Sequence, residues 1–313
     1  MAPNWPLGGG HSSGSEAAGG NCVSVSLKRE FIVTCEAAID VGMIRNHLAL
    51  FFAAYLSLPG PAAAQVVAND ASDVVQVTVM PGWREADGTH IAALKFDLAP
   101  GWKTFWRTPG DAGVPTRMSW AGSKNLGEAR ILWPTPKVFR QNGLRSIGYR
   151  DQVVVPLAFH AATNGPIVID GHLDFGVCAE ICLPVSLDLD LLLPPDQKDN
   201  VEEISAAMHA RPMTAPEAQV RRIACKVFHN GDRARIEVEI EMPPLDGLSE
   251  ALVIEAANPA LWIGEPMLSR KGDTLRGVAE IAHRDETPFR LDMDQIRMMV
   301  LTTQAAVDIQ GCR

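Results

Sequence analysis

The chain has 313 residues, a formal net charge of −9 and the composition of an ordinary globular protein, with 21% charged residues. Nucleic acids and anionic membranes bind clustered Lys and Arg side chains, whereas this acidic sequence has no basic run. We therefore expect neither nucleic acid nor an anionic membrane surface as a partner.

Two unlike segments open the chain. Residues 1–42 are rich in Gly, Ser and Ala without a sustained hydrophobic period, and we interpret them as a spurious N-terminal extension. Residues 43–64 have the basic start, the apolar run at 48–58 and the small residues of a signal peptide. That run of about eleven residues is too short to cross a bilayer. We expect the chain to start at Met43, to be cleaved after Ala64 and to be exported without a membrane span.

Short strand-like runs dominate residues 66–195. Apolar and polar side chains alternate along them, most clearly at 185–191, and Gly and Pro separate the runs. This pattern predicts an all-β domain of the sandwich type. Five of the seven Trp lie in this domain. Of these, Trp102 and Trp106 would share one face of a strand, and we interpret them as core residues; an exposed partner-binding patch is the alternative interpretation.

The most informative stretch of this domain holds two cysteines, Cys178 and Cys182. Strand-like runs at 166–175 and 185–193 flank it, which predicts a β-hairpin with both thiols at its tip. A thiol-exchange site needs this arrangement, because a mixed disulfide forms only when a foreign thiolate reaches the sulfur. The alternative interpretation is an inert structural disulfide.

Four of the six cysteines remain after the expected cleavage. An even number in an exported chain predicts two disulfides, and the spacing favours Cys178–Cys182 together with Cys225–Cys312. We expect the second bond to be structural; a second exchangeable pair is the competing interpretation.

A linker and a second domain follow. Residues 196–217 contain a short amphipathic pattern that predicts a helix capped by Asp199 or Asn200 and stopped by Pro212. Residues 218–313 return to alternating runs, with an Asn-Gly hairpin signal at 230–231. The chain is therefore predicted to be all-β, with two immunoglobulin-like sandwiches joined by a short helix and linker.

Four motifs of the first domain occur in an order that resembles a known family. They are GWKTFWRTPGDAGVP at 101–115, LWPTP at 132–136, GYRDQVVVP at 148–156 and VCAEICLP at 177–184. Together they resemble the N-terminal periplasmic domain of the thiol:disulfide interchange protein DsbD, in its ScsB-like branch. The resemblance covers nearly all of the first domain and fades in the second.

This resemblance implies a periplasmic protein with an immunoglobulin-like fold and no cofactor. Its cysteine pair would receive electrons from a membrane-embedded thiol reductase and pass them to periplasmic thioredoxin-like proteins, in processes such as cytochrome c biogenesis or copper tolerance. Membrane-embedded and thioredoxin-like domains of the family are not found in this sequence, so the donor would be a separate protein. The three-residue gap between the cysteines is also shorter than in the best-known members.

The resemblance further implies a cap loop over the thiols, expected here at 137–149. Phe139 or Leu144 would be its shielding side chain, and Tyr149 would close the loop. By the family pattern Cys182, followed by Leu-Pro, is the sulfur that a partner attacks.

One of the two sulfurs must become a thiolate near neutral pH. A charge at Glu180 would oppose this ionisation, whereas Arg145 or Arg150 on the cap would favour it. We consider His172 as a proton acceptor, or as a strand residue without a role.

Two other functions stay open. Soft thiolates select Cu(I), so Cys178 and Cys182 are also candidate copper ligands. Alternatively, both disulfides are inert and the chain is a non-redox binding module.

Overall fold

The computed structural model describes residues 65–66 and 71–312, and nearly all of its regular structure is β-strand. The predicted all-β architecture is confirmed. The expected extension at 1–42 and the expected signal peptide at 43–64 lie outside the described residues. No helix in the part of the chain that the structure describes is long and apolar enough to cross a membrane.

The first sandwich consists of two mainly antiparallel sheets. One has the strand order β1-β2-β3-β9-β6, and the other has the order β11-β10-β4-β8-β7, with β5 also paired to β10. The strands are β1 (Gln65–Val66), β2 (Val75–Arg84), β3 (Thr89–Leu98), β4 (Lys103–Phe105), β5 (Arg117–Ser119), β6 (Leu126–Ile131), β7 (Lys137–Gln141), β8 (Leu144–Arg150), β9 (Gln152–Ala161), β10 (Ile167–Cys178) and β11 (Cys182–Leu193).

Side-chain alternation explains how these strands build a core. Along β11, Val185, Leu187 and Leu189 are buried between the sheets, whereas the residues between them face solvent. This is the period of two that a strand with one covered face requires. Trp106 is fully buried and Trp102 packs against the same cluster, so their predicted core role is confirmed.

The described residues contain one α-helix, α1 (Val201–His209), which lies on the outer face of the first sheet. Its buried Ile204 packs with Met80 of β2 and Val154 of β9. Asn200 occupies the N-cap position, as predicted, but its side chain makes no hydrogen bond to the first turn of the helix. The predicted capping hydrogen bond is therefore wrong. The predicted linker also contains a short strand, Met213–Thr214, which joins the second sandwich.

The second sandwich has the sheets β12-β20-β19-β15 and β13-β14-β18-β16, with β17 paired to β18. The predicted Asn-Gly turn joins β13 to β14. The strands are β12 (Met213–Thr214), β13 (Arg222–Asn230), β14 (Arg233–Glu241), β15 (Ala251–Glu255), β16 (Leu261–Ile263), β17 (Met267–Lys271), β18 (Thr274–His283), β19 (Arg297–Leu301) and β20 (Ala306–Gln310), with a 3-10 turn at Met293–Gln295.

The two sandwiches lie in one compact unit and share an apolar contact. Strands β15 and β19 are buried on both faces. Leu252 and Val300 face the core of the second sandwich, whereas Val253, Met299 and Leu301 pack against the core of the first. The continuous apolar runs of these two strands follow from this double burial.

Candidate redox site at a hairpin tip

The two cysteines lie opposite each other at the tip of the β10–β11 hairpin. Twelve cross-strand pairs hold this hairpin, and Cys178 and Cys182 form the last of them, with their Cα atoms 4.1 Å apart. The structure joins their sulfurs in a disulfide. The predicted position at a hairpin tip is therefore confirmed, and the sheet holds the pair rigidly.

The two sulfurs differ in access. Cys178 is 2% exposed and lies on the inner strand β10, between β4 and β11. Cys182 begins the edge strand β11 and is exposed. A partner thiolate can therefore approach Cys182, whereas Cys178 is shielded.

Three residues connect the cysteines in a tight turn. The Ala179 amide donates a hydrogen bond to the Ile181 carbonyl at 3.0 Å, which closes the turn. Glu180 projects into solvent, and Ile181 is 63% exposed.

The short strand β4 flanks the cysteines on their inner side. Lys103 lies directly across from Cys178 on one side and from Arg150 on the other. The Thr104 hydroxyl donates a hydrogen bond to the Gly176 carbonyl at 2.9 Å, which fixes β4 against β10. This places the buried side chain of Lys103 next to the site. Lys103 is not among the residues predicted for the site, although a lysine among the core aromatics of the GWKTFW motif is a signal for it.

The predicted cap loop is a β-hairpin, formed by β7 and β8 and called the cap hairpin below. Its turn is Asn142-Gly143, with both residues at positive φ, and this sequence is a recognised signal for such a turn. The side-chain amide of Gln141 donates a hydrogen bond to the Ala179 carbonyl at 3.4 Å. The cap hairpin thus reaches the turn between the cysteines.

The three side chains predicted for the cap have different positions. The Phe139 ring is half-buried near the site, with the Lys103 ammonium 5.7 Å and the Arg150 guanidinium 5.0 Å from its centre. Leu144 is 52% exposed beside the turn of the hairpin. Tyr149 lies near the end of β8 in the cap hairpin, but its ring belongs to the core and its hydroxyl donates to the Pro134 carbonyl at 2.8 Å. Burial raises the pKa of Tyr149 well above its usual value.

Arg145 does not serve the site as predicted, and the position of His172 favours the interpretation of a strand residue without a role. The Arg145 guanidinium is buried and donates to the Leu252 carbonyl of the second sandwich at 3.0 Å, away from the sulfurs. His172 is six residues before Cys178 on β10, which is about 20 Å along a strand. Its ring lies 2.7 Å from Asp188 and 3.3 Å from Asp174, and the hydrogen bond to Asp188 is the main reason that its pKa is raised.

The second sandwich contacts both the cap hairpin and the GWKTFWRTP segment. Glu265 pairs with Arg140 of the cap hairpin and lies 3.8 Å from Arg145. Glu255 receives three hydrogen bonds from Arg107, at 3.0, 3.3 and 2.8 Å, and a further one from Thr108. The Arg107 guanidinium in turn stacks 3.9 Å from the centre of the Trp106 ring. The second sandwich therefore holds segments on which the site depends.

The remaining two cysteines also form a disulfide. Cys225 of β13 is joined to Cys312, which follows β20, with Cα atoms 5.8 Å apart. These strands belong to different sheets, so the bond fastens the two layers of the second sandwich. Cys312 is buried and Cys225 only partly so.

No group of three or more His, Cys, Asp or Glu side chains within 65–66 and 71–312 is arranged to hold a metal ion.

Comparison with known proteins agrees with this geometry. Residues 70–194 match the family model described as thiol:disulfide interchange protein DsbD, N-terminal. The chain is also similar to a crystal structure of the N-terminal periplasmic domain of ScsB from Proteus mirabilis, with a TM-score of 0.62 and 20% identity over 80% of this chain and 98% of that one. The family match is confined to the first sandwich, so this coverage extends the likeness of fold into the second. No curated protein matches the chain.

Proposed function

We propose that this protein relays electrons by dithiol–disulfide exchange through Cys178 and Cys182. The match of residues 70–194 to the DsbD N-terminal family model supports this proposal. The observation that carries the proposal is the pairing of one exposed and one buried sulfur at a rigid hairpin tip. The exposed sulfur meets the partner, and the buried one resolves or releases it.

Reduction begins when a donor thiolate attacks the Cys182 sulfur. A bond forms between the two proteins, the Cys178–Cys182 bond breaks, and its electron pair leaves on Cys178 as a thiolate. The second donor thiolate then attacks the donor sulfur of the mixed disulfide and expels Cys182. The donor ends as a disulfide, and this protein ends as a dithiol that carries two electrons.

Delivery to a client is the same chemistry in reverse. The Cys182 thiolate attacks a client disulfide and releases one client thiolate. Cys178 then attacks the Cys182 sulfur, restores the disulfide and frees the reduced client. We propose a membrane-embedded thiol reductase as the donor and thioredoxin-like proteins as clients.

The proposed location is the periplasm. The signal-peptide pattern at 43–64 supports it. The similar ScsB domain is described as periplasmic, which supports the same location for this chain. Disulfides persist in that oxidising compartment.

A trapping experiment tests the proposal. Cys178→Ala leaves Cys182 unable to complete exchange, so we expect a stable mixed disulfide with a thioredoxin-like probe that carries one activated cysteine. Cys182→Ala is the matched control and leaves only the buried sulfur, so it should trap far less probe. Non-reducing gels and mass spectrometry measure both adducts.

Equal trapping by the two variants would contradict the assignment of Cys182 as the attacked sulfur. Absence of trapping in both, with a reduction potential well below about −300 mV, would indicate an inert structural disulfide. Cu(I) retained by the reduced wild-type protein and lost in a double Ser variant would instead support the copper hypothesis.

A further inference from the structure

Lys103 is a buried cation that lacks an anionic partner. It is 6% exposed, and within the described residues it has no carboxylate within ion-pair distance. Its ammonium donates to the Gln141 side-chain oxygen at 3.3 Å and lies over the Phe139 ring. Burial is the main reason that its pKa is lowered, and the charge of Arg150 adds to the effect. Burying a cation without an anionic partner costs folding free energy, so the burial of Lys103 requires an explanation.

The nearest reactive group is Cys178. The two residues face each other across β4 and β10, so their side chains emerge on the same face of the sheet. Directly opposed Cβ atoms of antiparallel strands are about 4.5–5.5 Å apart. The Lys103 side chain is a flexible four-carbon stem with a compact charge at its end, which gives it reach toward the sulfur.

We propose that Lys103 stabilises the Cys178 thiolate formed when the disulfide opens. This inference rests on the proposed exchange at Cys178 and Cys182 and assigns it a charge-stabilising residue. When a donor thiolate bonds to Cys182, the electron pair of the broken bond arrives on the Cys178 sulfur. Lys103 then gains the counter-anion that it lacks in the disulfide state, and no proton has to be transferred at that moment.

The other charges near Cys178 do not replace Lys103. Arg150 of β8 is one strand further away and exposed, with its guanidinium on the Phe139 ring. On β7, Arg140 is paired with Glu265. Glu180 in the turn is exposed and would raise the pKa of the thiol, which opposes the effect of Lys103. Among these groups Lys103 combines burial with a place directly opposite Cys178.

Gln141 links the lysine to the turn. Its side-chain oxygen accepts from Lys103, and its amide nitrogen donates to the Ala179 carbonyl. In the disulfide state the ammonium is therefore held beside the cysteine turn by the cap hairpin. A group placed there in advance needs little reorganisation when charge develops.

The test measures the ionisation of Cys178 directly. In a Cys182→Ser background only one thiol of the pair remains, and the ultraviolet absorbance of its thiolate is followed against pH. We expect Lys103→Met to raise the pKa of Cys178 by about one unit or more, the usual effect of removing a close opposite charge. Lys103→Arg, which keeps the charge, should restore most of the difference. Lys124→Met removes an exposed lysine elsewhere and is the matched control.

Unchanged pKa values in Lys103→Met would overturn the inference. Circular dichroism shows whether the variant folds, and Lys103→Gln provides the same test if it does not. The wild-type pair is separately equilibrated with a glutathione redox buffer. If the wild-type pair does not exchange with glutathione, the proposed function is contradicted. If it does exchange, but wild type and Lys103→Met have equal reduction potentials, only the role of the lysine is contradicted. If the role is correct, the variant has the more negative potential, because its reduced form has lost a stabilised thiolate.

Discussion

At the scale of single residues, the site is defined by asymmetry between neighbours. Cys178 and Cys182 are paired across one hairpin, yet Cys178 is buried and Cys182, at the start of the edge strand β11, is exposed. His172 lies on the same face of β10 as Cys178, six residues away, but it is exposed between two carboxylates. Position along the strand, and not the face of the sheet, therefore separates the cysteine pair from the histidine.

His172 should titrate as a surface ion pair without a role in exchange. We expect its pKa to lie above 6.5, mainly because of the hydrogen bond to Asp188. A raised folded-state pKa means that the pair stabilises the fold below the unfolded pKa and that this contribution disappears as pH rises through the folded value. NMR titration of the imidazole should show a lower pKa in Asp188→Asn than in wild type.

Asp190→Asn is the control for that titration. Like Asp188, Asp190 is exposed on β11, but it is not a cause of the raised pKa of His172. His172→Gln should leave the rate of exchange with glutathione unchanged. A slower rate would reinstate His172 as a participant in proton transfer.

At the scale of elements, strand β4 is the component on which the site depends. It is only three residues long, but it lies between β10 and β8 and so joins the cysteine hairpin to the cap hairpin. Gly148 of β8 allows this contact. A Cβ atom there would come within 2.0 Å of the Thr104 carbonyl oxygen and 2.8 Å of the Phe105 Cα.

We expect Gly148→Ala to push β8 away from β4. Two backbones would have to move apart, which costs on the order of 1–3 kcal/mol of unfolding free energy. Urea unfolding measures the loss, and the rate of glutathione exchange reports whether the cysteine pair has become more accessible.

Gly127→Ala is the matched control, because a Cβ on that strand residue would meet its nearest atom at an ordinary 3.4 Å. Its stability should stay within about 0.5 kcal/mol of wild type, as for most surface substitutions. If Gly148→Ala were as stable as this control, the close packing of β4 on β8 would not matter for the fold.

At the scale of the whole molecule, the second sandwich is a support for the first. An apolar seam through β15 and β19 joins their cores. Beside it, Glu255 holds Arg107 and Thr108, and Glu265 holds the cap hairpin through Arg140. Both acidic residues contact segments that also contact the redox site.

Glu255→Ala should destabilise the protein by about 2 kcal/mol, since it leaves a mostly buried guanidinium without its bidentate partner. The Arg107 and Glu255 side chains are 18% and 13% exposed. Urea unfolding followed by tryptophan fluorescence measures the change, because Arg107 stacks on Trp106.

Glu237→Ala removes an exposed ion pair with Arg235 and serves as the comparison. Exposed pairs contribute little, so this variant should lose less than about 1 kcal/mol. A loss in Glu255→Ala no greater than in Glu237→Ala would mean that the contact between the sandwiches is not energetically important.

Local pattern was sufficient for several features of this protein. Alternation along strands such as β11 depends only on which face is covered, so two sandwiches and a cysteine hairpin follow from it. The four motifs predict the resemblance that the family match over residues 70–194 also shows, because each is a specific string in a specific order. Asn142-Gly143 is a signal for the cap hairpin as well, where the resemblance alone predicts a loop.

Other features depend on contacts between residues far apart in the chain. Lys103 lies next to Cys178 because β4 pairs with β10, and seventy-five positions separate the two residues. Tyr149 turns inward and Arg145 reaches the second sandwich because β8 is buried. Which strands become neighbours depends on how the whole set of apolar faces is buried together, and no short window of sequence contains that information.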